Sequence, residues 1–301
     1  MQEPDAGRKD IENRTRSGSR QKQTEKERTY YMELAICSFA SSSSGNSFLI
    51  QSSTTRIIAD VGVSMKKMDE SLKQCDLSYE EIDGVVITHD HVDHVKGINT
   101  MLSRRPYTSP VYITQGTRTY IAEKHPALGD ECFQIIRGGQ QFPVGDIRVS
   151  AFNISHDASE PVGFTFEKAG KKIAIVTDTG CVTEDIFQAI RGSDILVLEA
   201  NHEKNILLYG KYPYSVKHRI LSDKGHLSNE TAGQVLCRYL EDIGGAKVPK
   251  VCLAHLSKEN NSPEQAFLTV RNVLEEGGFY VGKDLEMEIA QKEGISSMLI
   301  V

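Results

Sequence analysis

The stretch Ile82-Asp83-Gly84-Val85-Val86-Ile87-Thr88-His89-Asp90-His91-Val92-Asp93-His94 decides how this chain is read. Its apolar first half predicts a buried strand over Ile82–Thr88 that runs straight into a polar cluster. A loop just past a strand end can turn several side chains towards one point. His89, His91, Asp93 and His94 would be an odd group to leave facing solvent. Neutral imidazoles with a carboxylate suit zinc, manganese or iron(II). The stretch therefore predicts a metal site, which a lone His-x-His would not.

The rest of the sequence sets the frame. With 301 residues, 39% hydrophobic and 25% charged, the chain can build one large α/β domain or two small ones with a sizeable core. No apolar run approaches the ~20 residues of a membrane span. The first residues are polar and read as no secretory signal. The six cysteines form no Cys-x-x-Cys pair, which suggests reduced thiols in a cytoplasmic protein. Residues 1–31 hold eight Lys/Arg and six Asp/Glu, leaving 27 Lys/Arg and 35 Asp/Glu for the remainder. An acidic body argues against broad, non-specific nucleic-acid binding, although bound divalent cations would reverse the local field.

Residues 1–31, charged and without apolar periodicity, read as a disordered extension, and 32–301 as the folded domain. Strands are expected at Met32–Phe39, Ser47–Gln51, Arg56–Asp60, Val111–Thr114, Phe133–Ile136 and Ile147–Ile154. A hairpin of Gly163–Glu167 and Lys172–Thr177 turns through Ala169-Gly170. Ile195–Glu199 and Val251–His255 are apolar runs that end in polar groups. Helices are expected at Met65–Gln74, from Ser228 to Ile243 before Gly244-Gly245, and after the Ser262-Pro263 start. Strands in two groups, each with helices, predict two sheets packed face to face and covered by helices: a four-layer αββα sandwich.

His-x-His-x-Asp-His after a strand resembles the metallo-β-lactamase superfamily. The resemblance calls for a lone histidine, an aspartate and a final histidine, each after a later strand. His156, Asp178 and His255 stand in that order, and Asp60 matches the superfamily's first motif. The resemblance implies two divalent metal ions. His89, His91 and His156 would hold one, Asp93, His94 and His255 the other, and Asp178 would bridge them. Asp60, Asn201 and His202 would orient the ligands. Two such cations, roughly 3.5–4 Å apart, can share and activate a hydroxide at neutral pH. Zinc fits best, with manganese or iron as alternatives.

Three features narrow the chemistry within that superfamily. Asp178 stands where β-lactamases of this fold carry cysteine. His91 stands where the diiron oxidoreductases carry glutamate. The 77 residues from Asp178 to His255 leave no room for the inserted domain of the β-CASP nucleases. Between them, Glu199-Ala200 at a strand end and Gly225-His226-Leu227-Ser228 before a helix resemble the tRNA-processing and phosphodiesterase branches. There the histidine acts on the scissile phosphate and the glutamate orients it.

A narrower resemblance covers nearly all of 32–301. Ser42-Ser43-Ser44-Gly45-Asn46, Asp60-Val61-Gly62, Glu199-Ala200-Asn201-His202-Glu203, Tyr212-Pro213, Arg219-Ile220-Leu221-Ser222 and Gly225-His226-Leu227-Ser228-Asn229 look like the WalJ/YycJ group. That bacterial group is regarded as 5′→3′ DNA exonucleases linked to cell-wall two-component signalling. The resemblance makes Asp93, His226 and Glu199 the catalytic candidates and DNA the expected substrate.

Ser44, Gly45, Asn46, Lys211 and Arg219 are candidate phosphate-binding positions. Basic residues and tyrosines alternate through Lys204–Lys224, a pattern suited to phosphate contact and base stacking. A hydrolase of cyclic phosphodiesters, lactones or thioesters remains the first alternative, and a non-catalytic metal-binding regulator the second. Oligomeric state is not legible.

Overall fold

In the computed structural model the described residues are 34–104, 108–292 and 294–301. The expected extension 1–31, and Met32 at the start of the first expected strand, lie outside them. The elements, in chain order, are strands β1 (Ala35–Ser42), β2 (Gly45–Gln51) and β3 (Arg56–Ala59), helix α1 (Met65–Gln74), β4 (Gly84–Val86), α2 (Val92–Val95), α3 (Ile98–Arg104), β5 (Val111–Thr114) and α4 (Gln115–Lys124). Then come β6 (Phe133–Ile136), β7 (Gln141–Val144), β8 (Ile147–Asn153), β9 (Val162–Lys168), β10 (Lys171–Val176), α5 (Glu184–Ile190) and β11 (Ile195–Glu199). The chain continues with α6 (Lys204–Tyr209), α7 (Tyr214–Ile220), α8 (Asn229–Ile243), β12 (Lys250–Ala254), α9 (Pro263–Glu276), β13 (Glu286–Ile289) and β14 (Leu299–Ile300).

The strands form two sheets of seven, ordered β14-β1-β2-β3-β4-β5-β6 and β13-β12-β11-β10-β9-β8-β7. Alternation along the strands builds four layers from them. Ile36, Phe48, Ile50 and Ile57 of one sheet meet Val149, Phe164, Phe166, Ile173 and Ile175 of the other in a central core. Their neighbours point outward. Cys37, Phe39 and Ile58 pack under Met68 and Leu72 of α1, Met101 of α3 and Ile121 of α4. Ala174, Val176 and Leu198 pack under Phe187 of α5, Leu236 and Tyr239 of α8 and Val270 of α9. The αββα sandwich expected from the sequence is present.

Helix ends follow the sequence signals. Ser64, Ser228 and Ser262 each accept a backbone N–H from three residues on. Pro263 opens α9, and Gly244 closes α8 at φ 56°. Three expectations change. The strand expected over Ile82–Thr88 pairs only at Gly84–Val86, because the chain then leaves the sheet to place the histidines. The first two strands run past their expected ends through the serine-rich stretch, with Ser41–Ser42 in β1 and Gly45–Asn46 in β2. Lys204–Lys224 contains two short helices, α6 and α7.

Parallel pairing positions the strand ends. β10, β11 and β12 run parallel, with Val176 beside Leu198 and Glu199 beside Ala254. β3 and β4 also run parallel, with Ala59 beside Val86. The carboxyl ends of these strands therefore emerge side by side, where α/β sheets bind their ligands.

A polar clasp joins the two sheets at another edge. Asp146, in the turn between β7 and β8, accepts from the Ser52 hydroxyl (2.7 Å) and the Thr54 hydroxyl (2.6 Å), and lies 2.7 Å from Lys168 Nζ. Its own N–H donates to Thr55 Oγ1 at 3.0 Å. Burial opposes the carboxylate, but Lys168 and the hydroxyls outweigh it and hold its pKa well below the usual range. The stabilisation is therefore complete above pH ~4 and fades as pH falls through the depressed value. Asp146→Ala should cost about 0.5–1 kcal/mol at neutral pH, discounted for partial exposure, and progressively less in acid. Urea unfolding at several pH values measures this.

Candidate metal centre

Each strand end delivers a functional group. Asp60 follows β3, the histidine run follows β4, Asp178 follows β10, Glu199 ends β11 and His255 follows β12. Asp60, Asp178 and His255 all sit at positive φ, 62°, 58° and 56°. Left-handed backbone costs a residue with a Cβ about 1–2 kcal/mol, so the surrounding structure must enforce it. At each point the chain turns sharply off its strand and aims the side chain across the sheet end. His91 caps α2, whose first turn presents Asp93 and His94. Gly62 makes room for that turn. A Cβ there would lie 1.6 Å from the Asp93 carbonyl oxygen.

Four imidazoles of the cluster are each anchored through one nitrogen. His94 Nδ1–H donates to Asp60 Oδ2 at 2.8 Å, and Asp60 also accepts the Thr88 N–H at 2.8 Å. His255 Nδ1–H donates to Glu199 Oε1 at 2.8 Å. His156 Nδ1–H donates to the Gly225 carbonyl at 3.1 Å. His89 Nδ1 lies 3.0 Å from the Thr88 hydroxyl, whose oxygen can accept because its own proton reaches Asp60. Anchoring one ring nitrogen leaves a lone pair on the other.

Those second nitrogens converge without partners. His89 Nε2, His255 Nε2 and Asp178 Oδ2 are buried and lack any hydrogen bond among the described residues. His156 Nε2 faces His91 Nδ1 at 3.2 Å, and His94 Nε2 faces Asp178 Oδ2 at 3.2 Å. Acceptors facing acceptors inside a protein are costly unless a cation lies between them. Ligand atoms of His89, His91 and His156 lie within 4.8 Å of one another, as do those of Asp93, His94 and His255. His89, His94 and Asp178 form a third such group, so Asp178 touches both sets. The donor chemistry fits two divalent cations.

Electrostatics agree with a site built for positive charge. Burial pushes the His89 pKa well below its ordinary value, with His94 adding to the effect, so that ring is a neutral donor. Burial opposes ionised Asp178, but His255 and His94 outweigh it and hold the pKa well below the carboxylate range. Burial likewise opposes Glu199, yet His226 and His255 bring it down to about 2.

Glu199 does more than the sequence suggests. One oxygen, Oε1, lies 2.8 Å from both His226 Nδ1 and His255 Nδ1. The other accepts the N–H groups of Thr179 (3.0 Å) and Leu227 (3.2 Å). Asn201 donates to the His255 carbonyl at 2.8 Å. His202 is buried with both ring nitrogens unpartnered among the described residues, and burial lowers its pKa to about 4.

The phosphate candidates divide. Ser44 is exposed. Asn46 is fully buried, and its amide lies on Asp93 Oδ2 (3.2 Å) and His94 Nε2 (3.0 Å), so it positions the cluster rather than facing solvent. Gly45 is buried beside Gly62. Lys211 is exposed between α6 and α7. Arg219 is paired with Asp157, which lies 3.5 Å from His156 Nε2 and 4.0 Å from His91 Nε2. Sequence reasoning missed Asp157, although it directly follows His156. The Ser41 hydroxyl accepts the His255 N–H at 2.8 Å.

A family model described as a β-lactamase superfamily domain matches residues 55–255. Exodeoxyribonuclease YycJ of Bacillus anthracis is 37% identical over 260 residues, spanning 85% of this chain and 95% of its own. The chain belongs to the WalJ/YycJ family of the metallo-β-lactamase superfamily. Exodeoxyribonuclease WalJ of Streptococcus pneumoniae is 36% identical over 251 residues, 82% of this chain and 91% of its own. The fold is also that of Zn(2+)-bound PqqB from Methylobacterium extorquens, with a TM-score of 0.66, 16% identity, and coverage of 89% and 100% of the two chains. The WalJ/YycJ resemblance read from the sequence is therefore correct.

The Gly62 contact can be tested. Gly62→Ala should cost about 1–3 kcal/mol, as overpacking against backbone does, and should displace Asp93. Urea unfolding gives the first quantity, and a crystal structure of the variant the second.

Proposed function

We propose that this WalJ/YycJ-family chain is a cytoplasmic metal-dependent phosphodiesterase that degrades DNA as a 5′→3′ exonuclease. The observation that carries the reading is Glu199 Oε1 held 2.8 Å from both His226 and His255. This couples a histidine outside the proposed ligand set to the cluster itself. His89, His91 and His156 would hold one cation, Asp93, His94 and His255 a second, with Asp178 between them. Zinc matches the donors best, and manganese or iron are the alternatives. When bound, such cations activate water at neutral pH and neutralise charge on phosphoryl oxygens.

The remaining work falls to side chains. Burial opposes ionised Asp93, but His255 and His94 lower its pKa. It therefore stays a carboxylate and orients the attacking water. His226 directs Nδ1 at Glu199, which leaves its other nitrogen to deliver a proton to the leaving oxygen. That role suits a phosphodiester, whose departing alkoxide is a poor leaving group without a proton. Glu199 fixes the orientation of the ring. The exodeoxyribonuclease names of relatives that match over four fifths of the chain support DNA as the substrate. They also weigh against the small-molecule and non-catalytic alternatives.

End-labelled DNA and metal analysis test this together. His226→Ala should slow cleavage by roughly 10²- to 10⁴-fold while metal content stays unchanged. Glu199→Gln should lower both, because it also loosens His255. Cleavage by His226→Ala at the normal rate would remove the proton-donor role.

A further inference from the structure

The exposed members of the histidine cluster show where it opens to solvent. Most of the cluster is buried, but the His91 side chain is 32% exposed, Asp157 31% and Arg219 51%. Val92, directly after His91, is exposed as well. Arg219 pairs with Asp157, which lies 3.5 Å from His156 Nε2 and 4.0 Å from His91 Nε2. Arg219 belongs to α7, so this helix borders the opening.

The surface of α6 and α7 is unusual. Tyr209, at the end of α6, is 89% exposed, and Tyr214, at the start of α7, is 81% exposed. Ile206, Leu208 and Leu221 of the same segment are exposed too. Large apolar side chains gathered in water on one short segment mark a contact surface. Residues 204–224 hold five Lys/Arg and one acid, Asp223, whereas the residues beyond 31 as a whole hold 27 Lys/Arg against 35 Asp/Glu. Lys217 Nζ donates to the carbonyls of Leu208 (2.8 Å) and Gly210 (2.7 Å), which ties the end of α6 to α7. Tyr209 is thereby fixed beside the helix that carries Tyr214. The Tyr214 ring lies 6.2 Å from that of His218, one turn closer to Arg219. Five residues of helix from Tyr214 to Arg219 span about 7.5 Å, room for about two nucleotides at ~3.4 Å each.

We propose that Tyr209 and Tyr214 form a stacking platform for unpaired bases of the DNA strand being cleaved, beside the opening of the metal centre, while Lys211 and Lys224 meet its phosphates. This rests on the phosphodiesterase reading and names what holds the substrate. Lys211 and Lys224 are both exposed. Flat apolar rings interleaved with cations suit a chain that carries bases on one side and phosphates on the other. In a duplex the base faces cover one another, so only an unpaired base can cover these tyrosines. The strand is therefore single-stranded where it crosses α7, whatever the state of the DNA beyond it.

The chain contains no tryptophan, so a Tyr214→Trp variant carries a single fluorescent reporter. Titrating the metal-loaded variant with a phosphorothioate-linked single strand, which resists cleavage, should quench that emission. The same strand built from abasic residues should not. In cleavage of a single-stranded oligonucleotide, Tyr209→Ala/Tyr214→Ala should raise KM by roughly 10- to 100-fold. Tyr209→Phe/Tyr214→Phe, which keeps both rings, should retain the wild-type KM. Two abasic residues beside the cleaved bond should cost the wild type a similar factor and the alanine variant nothing further. Unquenched emission, or equal KM for wild type and alanine variant, overturns the proposal. So does a wild-type dimer that the alanine variant loses with DNA binding unaltered, because the tyrosines would then belong to a contact between copies. Failure of metal-loaded wild type to hydrolyse bis(p-nitrophenyl) phosphate would instead overturn the phosphodiesterase reading. In that case the quenching still decides the platform.

Discussion

Asp178 is a carboxylate buried to 2% exposure, with Oδ2 3.2 Å from His94 Nε2. Such an arrangement is unfavourable in a protein interior unless positive charge joins it. Around it stand His89, His255 and His156, each tied back through one nitrogen and open at the other. The geometry of the whole strand-end surface follows from bringing these groups together. The positive φ of Asp60, Asp178 and His255, the Gly62 contact with α2 and the hydrogen bonds of Glu199 all serve that convergence. Evolution has placed several locally unfavourable features at one spot, as functional sites commonly do.

The sandwich makes the convergence possible. Three parallel strands of one sheet and two of the other release their chain ends at a common edge, and the helical layers hold the sheets in register. The candidate ligands thus sit where the chain leaves strands of the core. Two of the groups that orient the ligands are placed in the same way. Asp60 and Glu199 sit at strand termini, and Gly225, whose carbonyl holds His156, lies in the turn between α7 and α8. Binding energy from a cation would be returned to the fold, because these anchors are complete only when every ring faces inward.

Much of this is legible in the sequence for a simple reason. Metal ligands cluster at strand ends, and strand ends are visible as apolar runs that stop at His or Asp. His89 to His94, His156, Asp178 and His255 all carry that mark, and the structure brings all of them to one place. The strands Val111–Thr114, Phe133–Ile136 and Ile195–Glu199 are legible to the residue because Val, Ile and Phe dominate them. Helix α4 is invisible: Gln115-Gly116-Thr117-Arg118 has a glycine and a β-branched residue where a helix should declare itself. Helices α6 and α7 are hidden by Gly210 and Pro213, which read as loop. Asn46 reads as a phosphate contact because Gly-Asn implies a turn, but pairing of β1 with β2 buries it against Asp93. The double role of Glu199 depends on the parallel register of β11 with β12, a tertiary relation that residue spacing does not encode.

The most direct test of the account is anomalous diffraction from crystals of the full chain saturated with zinc. Two peaks are expected on either side of Asp178. One should lie about 2.0–2.2 Å from ring nitrogens of His89, His91 and His156, the other at similar distance from Asp93, His94 and His255. A single peak, or none, would contradict the claim that the buried acceptors of this cluster exist to hold two cations.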